Sequence, residues 1–284
     1  MNNIQDSWDL EIKPKRNLLD INIKELLHYR DLILLFVKRD FVAQYKQTIL
    51  GPLWHLIQPV LTTLIFLLVF GRIARISTDG IPPILFYMTG ITLWNYFSFC
   101  LTATSNTFVG NAAIFGKVYF PRLVMPLSIV ISNLIKLGIQ FGLVIAAMIY
   151  YHFYGFPIQP TVNWLWLPFI VLLMAGISLG LGIIISSLTT KYRDLSYLLT
   201  FAVQLAMYAT PVAYPLSFLK EKSYVWLIAW NPLTSVMESF RYCLYGSGTV
   251  DVQSILYSFG FMIVSLIGGV LLFNKVESTF MDTV

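Results

Sequence analysis

Six stretches of this chain are apolar over about the length needed to cross a bilayer, which removes most soluble architectures at once. A spanning helix needs roughly 20 mostly apolar residues, because lipid offers no partner to an open backbone group. The stretches are Leu53–Phe70, Ile84–Phe108, Leu123–Tyr151, Trp164–Leu188, Leu195–Ala213 and Ile255–Phe273. Of the 284 residues, 57% are hydrophobic and only 12% charged, about half the charged share of a soluble domain. Little sequence remains for a large soluble domain or an enzyme core. The expected fold is therefore all-α and polytopic, with six transmembrane helices. No internal repeat of roughly 20–50 residues is visible.

Orientation follows from the lysines and arginines. Six spans put both termini on one side, and thirteen basic residues fall on that side against five on the other, with Lys136 inside a span. Basic residues favour the cytoplasmic side, so both termini are expected there. The net charge of +5 is thereby explained by topology, and nucleic acid is not an expected partner. The opening residues "MNNIQDSWDLEIKPKRN" lack the apolar core of a cleavable signal peptide. Residues 1–50 read as a cytoplasmic segment ending in an interface helix, and 51–284 as the transmembrane domain.

Two segments break the simple alternation of span and loop. On a helix at 100° per residue over 38–49, Phe41, Val42, Tyr45 and Ile49 share one face, with Arg39, Asp40, Lys46 and Gln47 opposite. That pattern predicts an amphipathic helix in the cytoplasmic interface. The preceding "LILLFV" (32–37) is apolar all round and is expected deeper or against the bundle. Gly51-Pro52 then turns the chain into the first span. Between Tyr214 and Asp251 lie two short apolar runs, Tyr224–Trp230 and Leu233–Leu244, divided by Asn231-Pro232 and ended by Gly246 and Gly248. Neither can span, so a re-entrant helical pair is expected before the last span.

Catalytic signatures are missing. There is no P-loop, no HExxH, no paired cysteines and no nucleophile elbow. Cys100 and Cys243 read as packing residues. His28, His55 and His152 share no ligand spacing, and His55 reads as a structural residue at the start of a span. In "GISLGLG" (176–182), Gly176 and Gly180 carry small-xxx-small helix packing rather than a nucleotide fingerprint. The spans hold no Asp or Glu, which argues against proton antiport and carboxylate-lined cation channels. Lys136 either pairs with a carbonyl inside the bundle or attracts an anionic substrate. Uphill transport would draw its energy from a partner.

The chain resembles the ABC-2 type permeases that export polysaccharides, most closely the O-antigen exporters of lipopolysaccharide ABC transporters. The resemblance rests on "RDFVAQYKQTILGPLWHLIQPVLTTLIFLLVFGRIA", "GNAAIFGKVYFPRLVMPLS", "KYRDLSYLLTFAVQLAMYATPVAYP" and "WNPLTSVMESFRYCLYG", in that order. It implies a permease homodimer in the bacterial cytoplasmic (inner) membrane, with two copies of a separate ATPase that binds the ATP and magnesium. No cofactor, metal or catalytic residue is expected in this chain. The resemblance marks Asn111–Arg122 as the helix coupling to the ATPase, with Asn111, Phe115, Val118 and Tyr119 for contact and Lys117 and Arg122 for charge. Arg39, Phe41, Tyr45 and Lys46 represent the interface helix. Trp230, Asn231, Pro232, Glu238 and Arg241 fall in the outer gate.

Such permeases move undecaprenyl-diphosphate-linked glycans, whose sugar rings stack on aromatic faces. Trp54, Tyr87, Trp94, Tyr96, Phe97 and Tyr208 are candidates to line that path, and Arg39, Lys46 and Lys117 to meet the diphosphate. Export of teichoic acid, capsular polysaccharide or a drug is an alternative on the same architecture. A membrane enzyme acting on lipid-linked sugars is a remote one, given the few acidic residues.

Overall fold

The computed structural model describes residues 23–46, 48–115, 117–118, 120–156, 162–219, 223, 225–248 and 250–283. Among these residues the regular structure is entirely helical. A short α1 (Ile23–His28) leads into α2 (Arg30–Tyr45). A 3-10 turn at Gly51–Leu53, then α3 (Trp54–Phe66) and a π-helical turn at Leu67–Ile73, form one continuous rod. α4 (Pro83–Ser105), α5 (Thr107–Phe115), α6 (Val124–Phe153) and α7 (Leu167–Thr189) follow. The chain ends with α8 (Leu195–Tyr208), α9 (Val225–Ala229), α10 (Pro232–Tyr245) and α11 (Val252–Thr283).

Among the described residues, five rods are long and apolar enough to cross a membrane: Gly51–Ile73, Pro83–Ser105, Val124–Phe153, Val162–Thr189 and Val252–Val276. The expected fifth span differs. Its apolar run extends to Ala213, yet α8 has 14 residues, about 21 Å, against a hydrocarbon core of about 30 Å. Proline is the cause. Pro211 cannot continue a helix, and the residue before it is pushed out of the α region. Residues 209–213 turn instead, and Thr210, Val212 and Ala213 become buried.

α4 is the central rod. Leu85, Phe86, Tyr87, Leu93 and Cys100 are almost wholly enclosed. Among its buried threonines, Thr89 donates to the Leu85 carbonyl at 2.7 Å. α7 and α11 pack side by side in the same direction. Phe169 meets Phe259 at 6.3 Å between ring centroids, Gly180 faces Ser265 and Leu266, and Gly269 faces Gly180 and Ile183. α4 runs the same way as α7, since Gly182 lies against Thr104 and Thr189 donates to the Ser105 carbonyl at 3.0 Å. Two neighbouring helices of one direction require the intervening chain, residues 190–251, to return to the other end of the bundle.

The helix before the first span differs in extent from its expected 38–49. It begins at Arg30 and ends at Tyr45, and Lys46 is already extended. Thr48 donates to the Tyr45 carbonyl at 2.9 Å and so satisfies one terminal acceptor. Ile49, expected on the apolar face, lies outside the helix and is fully exposed. The turn needs those residues: Gly51 has φ of +48°, and Pro52 follows it. The face that packs is Ile33, Phe36 and Val37, at the i, i+3, i+4 spacing of one helix side. That is the stretch expected against the bundle.

Candidate functional sites at the two ends of the bundle

At one end, an apolar cluster joins α2 to the ends of the long helices. Ile33, Phe36 and Val37 meet Phe108, Phe115, Phe120, Val124, Met125, Ile183 and Phe273. Phe108 stacks on Phe273 with centroids 4.3 Å apart. Phe115 lies 5.7 Å from Phe120, which lies 5.7 Å from Phe36. The candidate coupling segment and the candidate interface helix are thus rooted in one packed unit.

Within that segment, Asn111 closes a local bond, its Nδ2 donating to the Thr107 carbonyl at 2.9 Å. Arg122 covers the Phe115 ring at 5.4 Å, while Lys117 and Val118 are exposed. Tyr119 lies outside the described residues. In α2, Arg39 donates from Nε and Nη2 to Asp40 Oδ1 at 2.9 and 2.8 Å and sits over the Phe36 ring at 4.7 Å. Phe41 and Tyr45 meet edge to face at 4.5 Å. Tyr45 then meets His55 at 5.7 Å, and burial pushes its phenol up from the ordinary value. Lys46 is exposed.

The aromatic residues expected along a path divide into two groups. Tyr87, Trp94, Tyr96 and Phe97 are all 4% exposed or less and belong to the core of the bundle around α4. Trp54 and Tyr208 are more than half exposed, on the bundle surface.

At the opposite end, α10 is built as a buried plug. Asn231 is its N-cap, its Oδ1 accepting from the Leu233 N–H at 3.0 Å. Its Nδ2 donates to the Ala209 carbonyl at 3.1 Å and to Thr210 Oγ1 at 3.0 Å. Pro232 takes the first helical turn, and Gly246 ends the helix with φ of +69°, a conformation open to glycine at little cost. Trp230 stays exposed. Replacing Asn231 with alanine removes the cap and both tethers. The expected loss is about 1–2 kcal/mol, seen as a lower unfolding midpoint in detergent.

Arg241 is the centre of this end. It is 2% exposed and Glu238 is 4% exposed. Its Nη1 donates to the Pro211 carbonyl at 2.6 Å and its Nη2 to the Val212 carbonyl at 2.7 Å. Glu238 Oε1 lies 3.5 Å from Nη1 and accepts from the Leu216 N–H at 3.2 Å. The guanidinium lies 3.8 Å over the Phe86 ring. Gly90 makes the room: a Cβ there would stand 2.6 Å from Arg241 Nη2 and 2.8 Å from the Val212 carbonyl oxygen. Nearby, Tyr245 OH and Thr89 Oγ1 share a bond at 2.6 Å, and Ser217 donates to the Asp79 carboxylate at 2.7 Å.

Sequence reading reached Glu238 and Arg241 but not Phe86, Gly90, Pro211 or Val212. One local signal exists. Arg241 falls four residues after Met237, on the face of Leu233, Val236, Met237, Phe240 and Leu244, which foretells burial. Its partners are remote in sequence and leave no such sign. Among the described residues, no three His, Cys, Asp or Glu gather as a metal-ligand group.

These features define a polytopic helical membrane protein, an apolar helical bundle with a packed aromatic cluster at one end and a buried Arg241–Glu238 centre at the other. The chain belongs to the ABC-2 type transporter family, which it matches over residues 31–245, and it is a transmembrane permease. It is 32% identical over 256 residues to an O-antigen export system permease protein RfbA of Klebsiella pneumoniae, covering 89% of this chain and 94% of that protein. An RfbA of Myxococcus xanthus is 28% identical, covering 82% of this chain and 88% of its own. The polysialic acid transport protein KpsM of Escherichia coli is 24% identical over 86% of this chain and 93% of its own.

Proposed function

We propose that this permease exports an O-antigen type polysaccharide, linked to undecaprenyl diphosphate, across the bacterial cytoplasmic membrane. It would act as a homodimer with two copies of a separate ATPase. The observation that carries this reading is similarity along nearly the whole chain to permeases named for O-antigen export. Greater identity to these than to the polysialic acid proteins favours O-antigen over a capsular polysaccharide.

Topology in this reading has six crossings and both termini in the cytoplasm. The shared direction of α7 and α11 supports it, because residues 190–251 must recross. α8 and the turn to Ala213 make that crossing, and α9 and α10 re-enter from the outer side as the gate. α2 and the segment around α5 face the ATPase. Because both stand on one aromatic cluster, a push on either reaches the ends of α6, α7 and α11 together. Lys117 and Val118 are the exposed contacts. Arg39, Lys46 and Lys117 remain candidates to meet the diphosphate.

Deleting the gene is expected to abolish long O-antigen chains at the surface, with recovery from a plasmid copy. An intact O-antigen ladder with capsule lost instead would move the substrate to capsular polysaccharide. Replacing Phe115 with alanine is expected to cost about 3–5 kcal/mol in this packed cluster and to weaken co-purification of the ATPase. Unchanged unfolding and unchanged co-purification would exclude the cluster as the lever.

A further inference from the structure

α10 leaves a cavity where it meets the first turns of two long rods. The space, about 380 Å³, lies between α7, α10 and α11. That is within the usual size of a small-molecule pocket, about 300–1,000 Å³. Its α7 wall runs from Trp166 to Leu173, about 10 Å at the helical rise. Its α11 wall runs from Val252 to Leu256. Both walls belong to rods long and apolar enough to cross a membrane, Val162–Thr189 and Val252–Val276. Ser235 and Ser258 share a hydrogen bond at 2.6 Å, which joins α10 to α11 and bounds the space on that side.

The lining has three parts. Ile170, Leu173 and Val236 are buried and apolar and form the enclosed wall. Trp166, Val252 and Leu256 also line the space, yet each is more than half exposed. The cavity therefore opens on the outside of the bundle, beside α7 and α11. Around a spanning helix that outside is lipid. The third part is polar. Ser239 lines the cavity and is 3% exposed, and its hydroxyl has no hydrogen bond among the described residues. Buried polar groups are normally hydrogen-bonded, and an unmet one on a cavity wall calls for a partner inside the cavity.

We infer that this cavity holds an acyl chain of a bilayer phospholipid, with the Ser239 hydroxyl donating to an ester carbonyl of that lipid. The apolar walls exclude a charged or sugar ligand, because its polar groups would lose water without replacement. The opening faces the bilayer, where phospholipid is the abundant hydrocarbon. The volume also selects: an apolar cavity of about 150 Å³ already takes benzene, so this one takes part of a slender chain and not the bulk of a long branched polyprenyl tail. Arg241 stands two residues from Ser239, roughly 200° around the helix. α10 is thus pinned by Arg241 on one face and braced by lipid on the other. The inference is independent of which glycan the permease exports.

The test is photolabelling of the purified full-length permease with its ATPase in detergent. The probe is a phosphatidylethanolamine carrying a diazirine in one acyl chain, and labelled peptides are mapped by mass spectrometry. Labelling within α10 is expected to saturate at low probe and to be displaced by dioleoylphosphatidylethanolamine. Labelling of the exposed Leu198 and Phe201 on α8 gives the unsaturable reference. Leu256→Trp narrows the mouth from an exposed position, and is expected to cut α10 labelling about fivefold or more with an unchanged unfolding midpoint in lipid-free detergent. Ser239→Phe fills the cavity from within and is expected to do the same where it folds. Added phospholipid should raise the midpoint of the unaltered protein and leave that of Leu256→Trp in place. Saturable labelling by a diazirine-bearing polyprenyl phosphate but not by the phospholipid would overturn the inference. So would a high yield of disulfide-linked dimer from Leu256→Cys, which would give this face to a second copy of the chain. Labelling of α10 that never saturates and is unchanged in Leu256→Trp would overturn it as well.

Discussion

Replacing Arg241 with alanine is expected to destabilise the permease by about 3–5 kcal/mol, the cost of leaving a buried charge partner alone. The loss has three parts. The Pro211 and Val212 carbonyls lose their donors, Glu238 loses its cation, and Phe86 loses the flat group lying 3.8 Å over its ring. Lysine is expected to be a poor substitute, because one ammonium cannot hold two carbonyls while lying flat on an aromatic face. Glu238→Gln should be milder, since an amide oxygen can still accept from the Leu216 N–H. The Arg241→Met, Glu238→Leu double replacement should recover part of the loss, as apolar replacement of a buried pair often does. Unfolding midpoints in detergent rank these variants. An Arg241→Ala midpoint equal to that of the unaltered protein would remove Arg241 as the pin of the outer end.

Gly180→Leu is expected to prevent α7 and α11 from closing, and so to abolish a stable fold. Even a single methyl would meet Ser265 Oγ at 2.6 Å and the Leu266 backbone nitrogen at 2.8 Å. A backbone atom cannot swing aside like a flexible side chain, so the helices must separate. Gly180→Ala is therefore expected to cost about 1–3 kcal/mol, the usual range for overpacking. Gly142→Ala is the matched control, because nothing lies within 4 Å of a Cβ there. Monodisperse yield by gel filtration and the unfolding midpoint give the comparison. Equal behaviour at positions 142 and 180 would mean that close approach does not hold the pair together.

The long apolar rods were legible because hydropathy is a local property. α3, α4, α6, α7 and α11 lie where the apolar runs predicted helices. Apolarity alone misjudged α8, since the run continues to Ala213 while Pro211 ends the helix before it. The glycine spacing in α7 signalled a close helix contact but not its partner, α11. Likewise, the heptad-like face of α10 foretold the burial of Arg241. Its carbonyl partners stand at Pro211 and Val212 and its aromatic partner at Phe86, and no local pattern links those positions. The interface helix shows the same limit. Periodicity over 38–49 gave an apolar face, but the turn at Gly51-Pro52 claims the last of those residues, and the packed face is Ile33, Phe36 and Val37.

The central claim is ATP-driven export of a lipid-linked polysaccharide through this chain. Its most direct measurement is transport in proteoliposomes holding the permease and its ATPase, with undecaprenyl-diphosphate-linked O-antigen on the ATPase side. ATP is expected to raise the amount of glycan reaching the opposite leaflet, and the glycan to accelerate ATP hydrolysis. Glycan that crosses equally well without ATP, or that leaves hydrolysis unchanged and does not cross, would contradict it.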